Sequence, residues 1–220
     1  MIGVTPAAPT LAAVGAIRVA VGVLAIAVVG YAYGLSVAAG EPNPFDYFGY
    51  FTNQTSVVVS VLLVIAGVRS LARRATPAWF SVLRGAATTY SIVVAVIYNT
   101  LVPGTGSAPP WVSAALHVVL PAIVLLDWAL VPDRSLLPWR RLWVVLPYPL
   151  VWLVVVLVRG ATDGWVPYGF LLPENGATSL ALHVVGLSAA VLAAGALVWV
   201  LSRRSSRVVA QGGPRAVGGR

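Results

Sequence analysis

Cysteine is absent from the 220-residue chain, which excludes disulfides, thiolate nucleophiles and cysteine-ligated metals. Lysine is absent as well: all 14 basic side chains are arginines, against 6 acidic ones. Histidine occurs only at His117 and His183, too few for a histidine-rich metal centre, so neither metal nor cofactor is expected. Charge itself is scarce, at 9% of residues, while 59% are hydrophobic and the mean hydropathy is +0.91. A water-soluble domain of this length carries more surface charge than that. The surplus apolar surface must face lipid. The net charge of +8 does not point to nucleic acid, because the arginines sit in connections beside apolar runs, where membrane topology accounts for them.

What the chain does have is long apolar runs. Six stand out, at 11–34, 51–71, 79–102, 111–131, 142–158 and 177–202, each near the roughly 20 residues that the hydrocarbon core of a bilayer requires. The expected fold is all-α, a polytopic bundle of six transmembrane helices over residues 11–202. It is preceded by a short tail, 1–10, which lacks the basic n-region of a secretory signal. A basic, Gly-rich tail follows at 203–220, and its composition predicts disorder. The fifth run is the shortest and carries Pro147 and Pro149, which remove backbone donors and predict a kink. No internal repeat is present.

The arginines give the bundle a direction. Arg69, Arg73 and Arg74 occupy the second connection, Arg134, Arg140 and Arg141 the fourth, and Arg203, Arg204, Arg207, Arg215 and Arg220 the C-terminal segment. Glu41, Asp46, Asp163 and Glu174 lie in the opposite connections, with Arg159 as their only basic neighbour. Cytoplasmic connections are enriched in arginine, so both termini are expected in the cytoplasm. An arginine-only basic set with much Ala, Val, Gly and Pro suggests a GC-rich bacterial genome, and hence a multi-pass protein of the bacterial plasma membrane. The aromatics agree with two interfaces: Tyr47, Phe48, Tyr50, Phe51, Trp111, Trp165 and Tyr168 at the outer one, and Trp79, Trp139 and Trp143 at the inner one.

With that direction set, polar side chains converge on one depth. Thr52, Asn53, Gln54 and Thr55 open the second span, Asn99 lies near the outer end of the third, and His117 and His183 lie about two turns into the fourth and sixth. Polar groups at such depths face a bundle interior or a watery cavity, so a single polar pocket near the outer face is the economical expectation. Plainer roles compete with it. Thr52 stands where a helix cap would be, Asn53 and Gln54 stand at the interface, and either histidine can serve as an interhelical hydrogen-bond partner. Nearer the cytoplasmic face, Arg18, Arg84 and Asp127 predict a structural ion pair of one arginine or the other with the aspartate. Asp127 is about 15 Å along a straight helix from His117 and cannot orient it.

Several motifs then occur in a fixed order. They are Tyr50-Phe51-Thr52 followed by Gln54-Thr55, Leu83-Arg84-Gly85, Tyr98-Asn99, Leu116-His117-Val118-Val119-Leu120-Pro121 with Asp127-Trp128, Arg159-Gly160, and Gly164-Trp165-Val166-Pro167-Tyr168-Gly169-Phe170-Leu171. In order and spacing, over about residues 14–200, the chain resembles the bacterial branch of the androgen-induced membrane protein family. Animal members are multi-pass threonine hydrolases that cleave fatty-acid esters of hydroxy fatty acids. The resemblance implies Thr52 as nucleophile and His117 as its base, with membrane lipids as surroundings and a lipid ester as substrate. A threonine hydroxyl is a weak nucleophile that needs such a base. The oxyanion it generates needs donors, for which Asn53, Asn99, His183, Arg159 or the first backbone N–H groups of the second span are candidates. The alternative is a non-catalytic lipid- or small-molecule-binding protein or transporter.

Overall fold

The computed structural model describes the backbone of residues 8–104 and 106–210, and the side chains of 11–104 and 106–203. It is all-helical, with no strand among the described residues. Six helical segments are long and apolar enough to cross a membrane, and by length and composition they define a multi-pass membrane protein. We label them α1 (Ala8–Ala38), α2 (Phe51–Leu71), α3 (Ala78–Leu101), α4 (Pro110–Leu130), α5 (Trp139–Thr162) and α6 (Ala177–Ala210).

Cross-helix contacts fix their directions. Arg18 near the start of α1 reaches Ser70 at the end of α2 (3.0 Å) and Asp127 at the end of α4 (2.7 Å). Arg84, early in α3, reaches the same Asp127 at 2.8 Å. Trp128 donates its indole N–H to the Val198 carbonyl, so the ends of α4 and α6 coincide, and Trp199 donates to Pro138 just ahead of α5. Successive helices are therefore antiparallel, and the described chain begins and finishes at the end that carries the arginine-rich connections. At that end Trp79, Trp139 and Trp143 are exposed.

Two packing features organise the bundle. α3 is the central helix, with 72% of its most apolar window buried, against 22% for α5. Its interior face carries Ala86, Ala87, Tyr90, Val93 and Val94. α1 lies closely along α2 because glycines remove the side chains that would separate them. A Cβ at Gly22 would stand 2.6 Å from the Ser60 carbonyl, and one at Gly67 would stand 2.6 Å from the Gly15 carbonyl. Small residues at such crossings let helices associate without help from the hydrophobic effect, which is weak between surfaces both bathed in lipid.

Three expected boundaries change. The fifth span is longer than 142–158: a 3-10 turn, Trp139–Val145, precedes an α-helix, Pro147–Thr162. Pro147 and Pro149 therefore do not kink the middle of a helix but begin one, where the first N–H groups have no helical acceptor to lose. α6 continues to Ala210, beyond the expected boundary at 202, since no Gly or Pro stands between 202 and Gly212. Of the expected tails, residues 1–7 and 211–220 lie outside the described residues. The fourth span also hides a local change of pitch. Pro110–Ala114 and Leu120–Leu130 are α-helical, but Ala115–Val119 between them is a π turn in which Leu120 N–H reaches the Ala115 carbonyl.

Candidate functional site

His117 sits in that π turn. Pro121, four residues on, has no N–H, so the His117 carbonyl lacks its α-helical donor. Asn99 on α3 points its side-chain amide at this carbonyl, 3.4 Å away, while also donating to the Ala95 carbonyl at 2.7 Å. The imidazole is held from two sides. Its Nδ1 is 2.9 Å from the Ser113 carbonyl, and a carbonyl only accepts, so Nδ1 carries the proton and the neutral ring keeps its lone pair at Nε2. The Tyr98 ring covers one imidazole face, with centroids 3.5 Å apart and planes 14° from parallel.

Tyr98 is also part of the wall of a cleft. An open space of about 730 Å³ lies among α2, α3, α5, α6 and the connection between α5 and α6. Its walls are mostly aliphatic and aromatic, including Val94, Ile97, Leu150 and Leu187, and its hydroxyl-bearing lining residues are Thr52, Tyr98, Tyr168 and Ser188. Thr52 is 8% exposed and stands at the end of the cleft distant from the arginine-rich connections. The mostly apolar lining suits a hydrophobic ligand with a few polar atoms. The flank at α5 is open, and Leu150 is 42% exposed there.

A cover of aromatic side chains closes the Thr52 end. Tyr50 meets Trp165 and Tyr168 edge-on, each at 5.8 Å, and Trp152 donates its indole N–H to the Gly49 carbonyl at 2.8 Å. Gly49 has to be glycine: a Cβ there would stand 2.3 Å from the Trp165 ring. Arg159 straps the cover down, pairing with Asp46 (2.6 Å) and Asp163 (2.7 Å) and lying 4.3 Å over Trp165. That pairing and a backbone hydrogen bond from Trp165 hold the Asp163 carboxyl below its usual range.

The expected site residues are thus partly assembled. The structure brings Asn99 to His117 and puts Thr52 in the cleft, but no hydrogen bond joins Thr52 to His117. Asn53 turns away to donate to the Tyr47 carbonyl at 2.7 Å, and Arg159 is engaged by its two aspartates. His183 bonds the Ser179 carbonyl at 2.8 Å and stacks on Phe170, a residue of the cleft rim. One more polar residue from the opening of the second span is left without a partner. Thr55 Oγ1 is buried without a normal hydrogen bond, near a Tyr148 phenol that donates to Gln54 at 2.8 Å.

At the opposite end the expected ion pair is a four-membered ring. Arg18 and Arg84 each bind both Asp127 and Asp133, at distances between 2.5 and 3.1 Å. Asp133 is the residue that sequence reasoning missed; its signal was an acid standing alone in an arginine-rich connection. Burial alone would raise the Asp133 carboxyl, but the hydrogen bonds and charges of Arg18 and Arg84 outweigh it and hold the group below its usual range. Arg134 beside them is lowered to about 10, by burial first and then by the Arg84 charge. It lies 4.8 Å over Trp128 and donates to the Val131 and Leu201 carbonyls. No group of metal-ligating side chains occurs among the described residues.

Fold and cleft together define the class: a six-helix integral membrane protein with a mostly apolar cleft headed by a buried threonine. No family model, curated protein or solved structure matches the chain.

Proposed function

We propose that this protein is a membrane lipid-ester hydrolase with Thr52 as nucleophile and His117 as general base, facing the non-cytoplasmic half of a bacterial plasma membrane. One observation carries the reading: Thr52 lies buried at the head of a mostly apolar cleft. An acyl chain fits the aliphatic walls and brings its ester to the hydroxyls at the head. The resemblance to the threonine hydrolases of the androgen-induced membrane protein family supports the same pair of residues, and the arginine bias of the connections supports the orientation.

In this mechanism Thr52 Oγ1 attacks the ester carbonyl carbon while its proton passes to Nε2 of His117. The tetrahedral intermediate collapses with loss of the alcohol, which takes the proton back from His117. Water then cleaves the acyl-threonine by the same route. The Ser113 carbonyl and the Tyr98 face hold the ring in the tautomer that leaves Nε2 free. The transfer requires Nε2 within ~3.2 Å of the hydroxyl, and catalytic hydrogen bonds of this kind commonly tighten only when substrate is bound.

The test is release of fatty acid from an ester-linked lipid by the purified protein. Thr52→Ala and His117→Ala should each abolish it; full activity in both variants rules the mechanism out. A second reading, a lipid-binding protein without catalysis, draws on the absence of a hydrogen bond between Thr52 and His117. It gains if an ether-linked analogue binds in the cleft while no ester is ever cleaved.

A further inference from the structure

The hydrolase reading leaves the oxyanion without a side-chain donor among its expected candidates, because Asn53, Asn99, His183 and Arg159 are all committed elsewhere. The cleft supplies another, a phenol. Tyr168 lies in the connection between α5 and α6, and its phenol oxygen faces the Thr52 hydroxyl together with the backbone of Phe51 and Thr52. That stretch is the first turn of α2, whose opening N–H groups have no acceptor within the helix. Only the next two, of Asn53 and Gln54, turn back to the Tyr50 carbonyl, and no side chain of the preceding residue caps the helix.

The placement of Tyr168 is heavily determined. Its ring is parallel to Phe170 (5.4 Å, 2°), edge-on to Tyr50 and tilted against Trp152 at 5.9 Å. Trp152 is tied to Gly49, and the base of the connection is strapped by Arg159 to Asp46 and Asp163. A tyrosine needed only for packing would be served as well by its ring alone; here the ring is fixed so that its one polar atom meets Thr52. Burial pushes the phenol up to about 12, with Thr52 and the adjacent backbone pulling the other way, so the group stays an O–H donor across neutral pH.

We propose that Tyr168 is a catalytic residue of the Thr52 site, donating its phenolic hydrogen to the carbonyl oxygen of the bound ester and to the oxyanion that replaces it. This assignment rests on the hydrolase reading. As the Thr52 oxygen bonds to the carbonyl carbon, the π electrons move to the carbonyl oxygen and the hydroxyl proton goes to His117. Tyr168 keeps its own proton throughout and contributes a hydrogen bond that strengthens as the negative charge develops.

The full-length protein in bicelles, with a long-chain p-nitrophenyl ester as probe, separates this role from packing. Tyr168→Phe keeps the ring contacts and removes the hydroxyl. We expect kcat to fall by ~10²–10³-fold, the cost of removing one oxyanion donor, with KM within about twofold of wild type, as for an interaction whose strength develops mainly in the transition state. Reaction of Thr52 with an alkyl fluorophosphonate should slow in parallel. A packing role instead leaves the Phe variant equal to wild type and impairs only Tyr168→Leu, which overturns the assignment. A second measurement does not depend on that variant folding. 3-Fluorotyrosine at position 168 keeps the shape but is a stronger acid, so the alkaline limb of the kcat–pH profile should move to lower pH. An unmoved limb also overturns the assignment. A wild type that neither cleaves the ester nor takes up the phosphonate overturns the hydrolase reading, and this assignment with it. An active wild type with an equally active Phe variant overturns this assignment alone.

Discussion

The Tyr98 ring lies flat on the His117 imidazole, 3.5 Å between centroids. The contact joins α3 to α4 at the π turn and puts the histidine directly behind one wall of the cleft. Replacing the ring with an aliphatic side chain, Tyr98→Leu, should cost about 1 kcal/mol of stability, the usual worth of an aromatic pair. The kinetic cost should be larger, on the order of 10²-fold in kcat, because a shift of about 1 Å in a catalytic group is enough for that. Thermal melts beside initial rates check the pair of values.

Pro121→Ala tests what the π turn is for. The variant regains an N–H that can bond the His117 carbonyl, so the segment around Ala115–Val119 can relax to ordinary α-helix and turn His117 away from Tyr98. The expected result is a midpoint of unfolding equal to or above wild type together with reduced hydrolysis, the trade-off typical of strained functional segments. A drop in stability with unchanged activity would show that the proline is structural.

The arginine–aspartate ring should behave as one unit. Truncating one member, as in Asp127→Ala, leaves both arginines short of a partner inside the bundle, at a cost of ~3–5 kcal/mol. Adding Arg84→Met to that variant should recover part of the loss, since an unpaired buried charge is removed with it. Equilibrium unfolding in a mild detergent measures both, and strict additivity would rule out the coupling.

Acid should loosen the same end. The Asp133 carboxyl is lower in the folded protein than its usual value of 3.8, so its contribution to stability is complete above the unfolded value and is lost as pH falls through the folded one. The unfolding midpoint should therefore be flat from neutral pH to about pH 5 and fall below about pH 4. Asp133→Asn should start lower and show a shallower acid slope. Asp163, also held low but exposed, titrates in the same direction, so Asp163→Asn is the control.

Gly49→Ala probes the cover over Thr52. The new methyl would stand 2.3 Å from the Trp165 ring and 2.7 Å from the Phe45 carbonyl, so the connection must move. Overpacking of this kind costs roughly 1–3 kcal/mol. Quenched or shifted Trp165 fluorescence together with slower hydrolysis is the expected pair of readouts.

Much of this architecture is written in local chemistry. The six spans follow from apolar run length alone, and the pairing of one arginine, Arg18 or Arg84, with Asp127 follows from the cost of leaving any of them unpaired in lipid; that both arginines bind it does not. The start of α5 was not legible in the same way. Pro147 and Pro149 break a helix or begin one depending on what precedes them, and the 3-10 turn at Trp139–Val145 has no apolar period of its own. The π turn is likewise a response to Pro121 that hydropathy does not register. In the candidate site, depth along the helices brought Thr52, Asn99 and His117 to one level, but depth says nothing of azimuth. Rotation about the helix axis turns Asn53 toward Tyr47 and His183 toward Phe170. Tyr168 could not be placed from spacing, because a connection reaches back over a helix start only through the tertiary contacts of its own aromatics.

The open flank of the cleft has a consequence for how this protein meets its ligand. Leu150 lines the cleft and is exposed part-way along α5, in the middle of a helix long and apolar enough to cross a membrane. Under the proposed function a ligand would reach the cleft by diffusing in two dimensions, so the quantity that sets occupancy would be mole fraction in the bilayer, not molarity in the buffer. Diluting a ligand with inert lipid at constant bulk concentration should empty the cleft, whereas adding water to the same vesicles should leave it as full as before.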